Sequence, residues 1–193
     1  MKKIVTRNEK DKKVRRNQLI IGIILIGIMT FGTVGYAFSD KSNENSEKIE
    51  YKGTEFIKAD EYWNFNLNGN SFVMKYNPKE VENITFSSYL SINSYTNKPL
   101  YLVSDFNEPN YEISRNLNSF VLRMQNSCIS EEDCIGNLPI KNCSEDNVII
   151  IKELKTEDEK ESIYQQDNCV FITASSENQA RYADAFLFKI LGI

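Results

Sequence analysis

The residues of this chain best placed to do covalent chemistry are four cysteines, Cys128, Cys134, Cys143 and Cys169. A structural zinc site or a redox-active dithiol is usually built on two cysteines three positions apart. The gaps here are 5, 8 and 25 residues, and none is such a knuckle. Two disulfides are the chemistry that remains, with three pairings open. Cys143 precedes one apolar run and Cys169 opens another. If those runs are neighbouring parallel strands, their starts meet. That favours Cys143–Cys169 and leaves Cys128–Cys134.

The chain contains no histidine. Serine–histidine and cysteine–histidine catalysis therefore lack their base, and the commonest zinc ligand is missing too. Carboxylates are the remaining candidates for acid–base work. Glu131-Glu132-Asp133 and Glu157-Asp158-Glu159 are acid clusters without the alternating oxygen-ligand spacing of a calcium loop, and they read as solvated loops. Asp105 and Glu108 follow an apolar strand, where α/β folds place ligands. Asn83-Ile84-Thr85 is a glycosylation sequon. Asn142-Cys143-Ser144 is a second one, which a disulfide at Cys143 would hinder. No catalytic, metal or cofactor-binding set emerges, and no cofactor is expected.

Several elements must position these residues. Trp63, Phe65 and Leu67 alternate with polar residues, as do Phe72, Met74 and Tyr76, around Asn68-Gly69-Asn70-Ser71. This predicts a hairpin pairing Leu67 with Phe72, Phe65 with Met74 and Trp63 with Tyr76. Asn77-Pro78-Lys79-Glu80 carries a cap, a first-position proline and a closing glutamate, which predicts a helix from Pro78 to about Thr85. Leu100–Ser104 and Val148–Leu154 read as buried strands, parallel if adjacent. Ile113, Leu117, Phe120, Val121 and Met124 form one helical stripe between them. Ser162–Gln166 and Cys169–Ala174 flank Asp167-Asn168 as a further hairpin. The last helix has a Ser176–Gln179 capping box, a Glu177–Arg181 pair and a stripe of Ala180, Ala183, Leu187, Ile190 and Leu191. Tyr182 and Phe188 widen its buried face, and Gly192 suits its end. The fold class expected is α/β, one small disulfide-bonded domain with a mixed sheet covered by helices.

Leu19–Phe38 contains twenty uncharged residues, enough for a helix to cross roughly 30 Å of hydrocarbon. Eight basic and two acidic residues precede it, whereas Ser39–Glu50 carries two basic and four acidic residues. The asymmetry predicts a single-pass anchor in the lipid bilayer, with the N-terminus cytosolic and the rest outside. Gly35 and Ala37 would suit cleavage after Ala37, but the apolar run is longer than a usual signal core. The expected organisation is a basic leader (1–17), a transmembrane helix (18–38), a polar linker (39–50) and an external domain (51–193). Residues 18–193 carry 15 basic and 25 acidic residues, so nucleic acid is a poor partner.

The basic leader and span, Tyr76-Asn77-Pro78 opening a helix, the four-cysteine block, Asn168-Cys169-Val170-Phe171-Ile172-Thr173 and the ending Ala183-Asp184-Ala185-Phe186-Leu187 to Ile190-Leu191-Gly192-Ile193 carry a resemblance. The chain resembles small uncharacterised archaeal single-span surface proteins. The resemblance implies a membrane-anchored, disulfide-bonded protein and assigns no site residue. The function expected is that of a membrane-anchored cell-surface protein, a binding or structural component of the envelope. The alternatives are a histidine-free envelope enzyme using Asp or Glu, and a subunit of a larger envelope complex.

Overall fold

The computed structural model describes residues 15–29, 46–104, 107–132, 134, 136–156 and 158–193. The chain divides into two units, Met1–Ser46 and Glu47–Ile193. In the first, residues 15–29 form a helix (α1) whose apolar side chains, Leu19 and Ile23 among them, stand exposed. Fifteen residues rise only about 22 Å. No described helix is long and apolar enough to cross a membrane. Residues 30–38, the second half of the expected span, lie outside the described residues, as does most of the expected linker.

The second unit opens with a four-stranded antiparallel meander, β1 (Lys48–Tyr51), β2 (Thr54–Ala59), β3 (Tyr62–Leu67) and β4 (Asn70–Met74). Three residues assigned to the linker, Lys48–Glu50, therefore belong to the first strand. The β3–β4 register also differs from the expected one. Trp63 faces Met74, Phe65 faces Phe72 and Leu67 faces Asn70. The turn consists of Asn68 and Gly69 alone, both at positive φ (51° and 80°), and a two-residue turn of this hand matches the twist of the strands. Because the shift is two residues, each side chain keeps its face. Phe65 stacks on Phe72 with ring centroids 5.3 Å apart.

Helix α2 (Pro78–Val81) begins with the expected capping box. The Asn77 side chain accepts from the Lys79 and Glu80 amides, and Glu80 reaches back to the Asn77 amide at 2.7 Å. It ends four residues before Thr85. The one-turn helix α3 (Ile92–Tyr95) follows, then strand β5 (Pro99–Val103). The stripe from Ile113 to Met124 is not one helix. Helix α4 (Asn107–Leu117) stops at Leu117, and Met124 lies on a short edge strand, β6 (Arg123–Asn126), parallel to β5. Phe120 and Val121 still pack on the core from the turn between them, so the apolar pattern marked burial correctly and the element wrongly.

Strands β7 (Asn147–Lys152), β8 (Ser162–Gln166) and β9 (Cys169–Thr173) complete a five-stranded mixed sheet in the order β6-β5-β7-β9-β8. β5 and β7 are adjacent and parallel, and β8–β9 is an antiparallel hairpin around Asp167. Helix α5 (Gln179–Leu191) ends on Gly192 at φ 81°, as a left-handed cap requires. Its start is not the expected capping box. Glu161 accepts from the Ser175 amide, the Ser175 hydroxyl and Asn178 Nδ2, so a carboxylate remote in sequence organises the helix entry. Burial works against the Glu161 charge, yet the hydrogen bonds from Ser175 and Asn178 outweigh it and hold the carboxyl below its ordinary 4.5. Arg181 does not pair with Glu177. It donates to the Glu80 carbonyl and to Asn83 Oδ1 and ties α5 to α2.

The layers follow from these faces. α4 and α5 lie between the meander and the mixed sheet, and one core contains Phe56, Phe65, Met74, Ile113, Leu187, Ile149 and Ile172. The other face of the mixed sheet, with Tyr101, Val148, Ile150 and Cys169, is covered by a loop and not by a helix.

Candidate functional site

That loop runs from Ser127 to Asp146, and its covalent ties explain how a segment without helix or strand can serve as a layer. Cys128 is joined to Cys134 (Cα–Cα 5.4 Å) and Cys143 to Cys169 (5.0 Å). Cys169 sits opposite Val148, so the starts of β7 and β9 do meet there. The Cys128 amide donates to the Pro139 carbonyl, and the Asn168 amide donates to the Cys143 carbonyl. Lys141 lies over the Tyr101 ring at 4.2 Å and pairs with Asp146 at 3.1 Å. The Tyr101 hydroxyl accepts from Arg123 at 2.6 Å, and that bond, with a second from Lys141, lowers its pKa.

One edge of the loop walls a cleft of about 720 Å³ at the carboxyl ends of β5, β6 and β7. Chain leaving β5 turns through α4 to the β6 side, whereas chain leaving β7 goes to the β8 side. The two connections part and leave a crevice, the position at which open α/β sheets take ligands. Leu102, Val103 and Ile151 contribute apolar surface from the strand ends, with Ile129 and Leu138 from the loop. Lys152, Lys155, Glu132 and Glu153 supply charge of both signs, and Asn126 supplies an amide. This lining suits a ligand with an apolar body and polar or charged ends.

Of the residues singled out in sequence, Cys128 and Glu132 line this cleft. Asp105 comes directly after the cleft residue Ser104, but it lies outside the described residues, as do Asp133 and Glu157. Glu108 is ion-paired with Lys75. Glu159 accepts from the Lys155 amide. Among the described residues no group of three carboxylates or cysteines could hold a metal. Asn83 is exposed in the turn after α2. Asn142 closes a turn, with its Oδ1 accepting from Ser144 and Glu145.

A second polar cluster escaped sequence reasoning. Glu112 and Asn116 on α4 and Asp184 on α5 are buried at 1%, 3% and 0% exposure beside the free edge of β4. Asn116 accepts from the Val73 amide (2.9 Å) and donates to its carbonyl (2.7 Å). Asp184 accepts from the Tyr76 amide at 2.8 Å, and Glu112 is ion-paired with Arg115. Asn116 and Asp184 thus do for this edge what a fifth strand would. A signal was present: Pro109, Glu112, Ile113, Asn116 and Leu117 fall on one helical stripe, as do Ala180, Ala183, Asp184 and Leu187. Polar residues on an apolar stripe need partners in the core.

In comparisons with known proteins, no family model, no curated protein and no solved structure matches this chain.

Proposed function

We propose that the chain is a membrane-tethered cell-surface protein whose external domain binds a partner or ligand in the cleft at the ends of β5, β6 and β7. The observation that carries this reading is the coincidence of that crevice with a loop closed by disulfides. A disulfide-closed wall holds its shape, which lowers the ordering cost of binding. Both bridges suit an oxidising compartment. The apolar, exposed side chains of α1 and the charge asymmetry around Leu19–Phe38 support the anchor.

The enzyme alternative would need two close carboxylates in an open pocket. Glu112 and Asp184 are close carboxylates, but they are sealed in the core, Asp184 bonded to the Tyr76 amide and Glu112 paired with Arg115, which suits a structural role. The reading as a subunit of a larger complex has its own support. Tyr111 and Leu122 are 59% and 69% exposed, and Tyr111 lines a groove of about 550 Å³ beside β6.

Two measurements on the full chain in intact cells test the proposal. An impermeant lysine reagent should label the domain without permeabilisation. A photocrosslinking residue at Leu138 in the cleft should capture a discrete partner, and one at Glu55 on the meander should not. A protected domain would remove the topology. Identical adduct patterns from the two positions would remove the cleft.

A further inference from the structure

We infer that Asn83 is an N-glycosylation site and that the second sequon, at Asn142, is not used. The inference rests on the proposed export of the domain.

Transfer of a glycan needs an asparagine amide that an enzyme can reach and a tripeptide that can be drawn into its site. Asn83 meets both needs. It is exposed, it follows the last turn of α2, and no helix or strand intervenes before Ile92. Thr85, whose hydroxyl completes the sequon, is exposed as well. Arg181 donates to Asn83 Oδ1 at 3.0 Å, which orients the amide and leaves Nδ2, the atom to be modified, outside that bond. Asn142 is exposed too, but its tripeptide is fixed. Cys143 at the centre is bonded to Cys169, and Asn142 Oδ1 accepts from the Ser144 amide, the Ser144 hydroxyl and the Glu145 amide. The Asn142 backbone N–H donates to Asp146 Oδ2 in turn.

The co-reactant is an oligosaccharide carried on a lipid phosphate, delivered by a membrane-bound transferase. Asn83 Nδ2 forms the bond to the anomeric carbon, the bond from that carbon to the phosphate oxygen breaks, and the lipid phosphate leaves. One Nδ2 proton passes to the transferase's base. A shallow cleft of about 260 Å³ lies beside the acceptor, lined in part by Ile84, Phe86, Phe188 and Ile193. A hydrated sugar chain at Asn83 would lie over this cleft and screen it from other molecules.

The test is mass analysis of the full chain purified from the cells that make it, with glycopeptide mapping. The intact protein should exceed its 22.3 kDa sequence mass by a carbohydrate increment. Asn83→Gln and Thr85→Ala should abolish the increment, Thr85→Ser should keep it, and Asn142→Gln should leave it unchanged. The Ser variant guards against loss through misfolding. An unmodified Asn83 in protein that an impermeant reagent labels would overturn this inference and leave export standing. A chain that no impermeant reagent reaches would overturn both. Carbohydrate on Asn142 would overturn the assignment of sites.

Discussion

Asp184 on α5 and Glu112 on α4 are both buried in the core and lie close enough for the charge of one to act on the other. Two buried carboxylates so close can hydrogen-bond to one another only if one of them carries a proton. Asp184 Oδ2 accepts from the Tyr76 amide, whereas its Oδ1, fully buried, accepts from nothing. A proton on Oδ1 shared with Glu112 would give that atom a partner. Glu112 then holds the charge and is paired with Arg115, whose guanidinium lies 4.3 Å from the centre of the Tyr62 ring. Burial first, and then the neighbouring Glu112 charge, raise the Asp184 pKa well above its ordinary 3.8. Burial raises that of Glu112 as well, against the opposing pull of Arg115.

A raised carboxyl pKa in the folded state means that the unfolded chain gives up its proton first. Stability should therefore fall as pH rises from about 4 towards the folded-state value of Asp184. Asp184→Asn keeps the shape, an acceptor for Tyr76 and a donor for Glu112, and should flatten this dependence. Asp184→Ala should cost about 1–3 kcal/mol, because the Tyr76 amide loses its partner. Urea melts across the pH range would decide it. A wild-type profile as flat as that of the Asn variant would show that no proton is shared.

Tyr95 is wholly buried, packs edge-on against Phe186 at 6.3 Å, and its hydroxyl has no partner. Burial raises its pKa strongly. Tyr95→Phe should leave the fold intact and raise its stability by on the order of 1 kcal/mol. A loss of stability on calorimetry would reveal a partner for the hydroxyl.

The two disulfides should differ in worth. Cys143–Cys169 closes a separation of 26 residues and Cys128–Cys134 one of 6. Loop-closure entropy gives about 3.5 and about 2 kcal/mol respectively. Paired Cys→Ser variants compared by denaturant midpoint should rank in that order. The Cys128/Cys134 variant should also become more open to proteolysis between 129 and 138. The reverse order would place the strain or the residual structure in the longer loop.

Leu187 is fully buried on α5 and Lys189 is exposed two residues on. Leu187→Ala should cost about 2–5 kcal/mol through the cavity it leaves. Lys189→Ala should change stability by less than about 0.5 kcal/mol. Equal, small effects in thermal melts would mean that α5 is peripheral to the core.

Local chemistry was legible from the sequence wherever neighbours in the chain decide the outcome. Asn77-Pro78-Lys79-Glu80 forms its own capping box, Asn168 and its neighbours turn the β8–β9 hairpin, and Gly192 ends α5. The apolar runs at 100–103 and 148–151 become buried strands because no other position satisfies them. Only the tertiary structure decided what depends on distant partners. The β3–β4 register is set by which two residues take positive φ, and alternation alone leaves shifts of two residues equivalent in face. Met124 sits on a strand and not on a helix because β5 offers it an open edge. The entry to α5 is organised by Glu161, and no local window contains both. The burial of Glu112, Asn116 and Asp184 is the clearest case. A polar residue on an apolar stripe is stable only if the fold brings it a partner, and here the partner is the unpaired edge of β4.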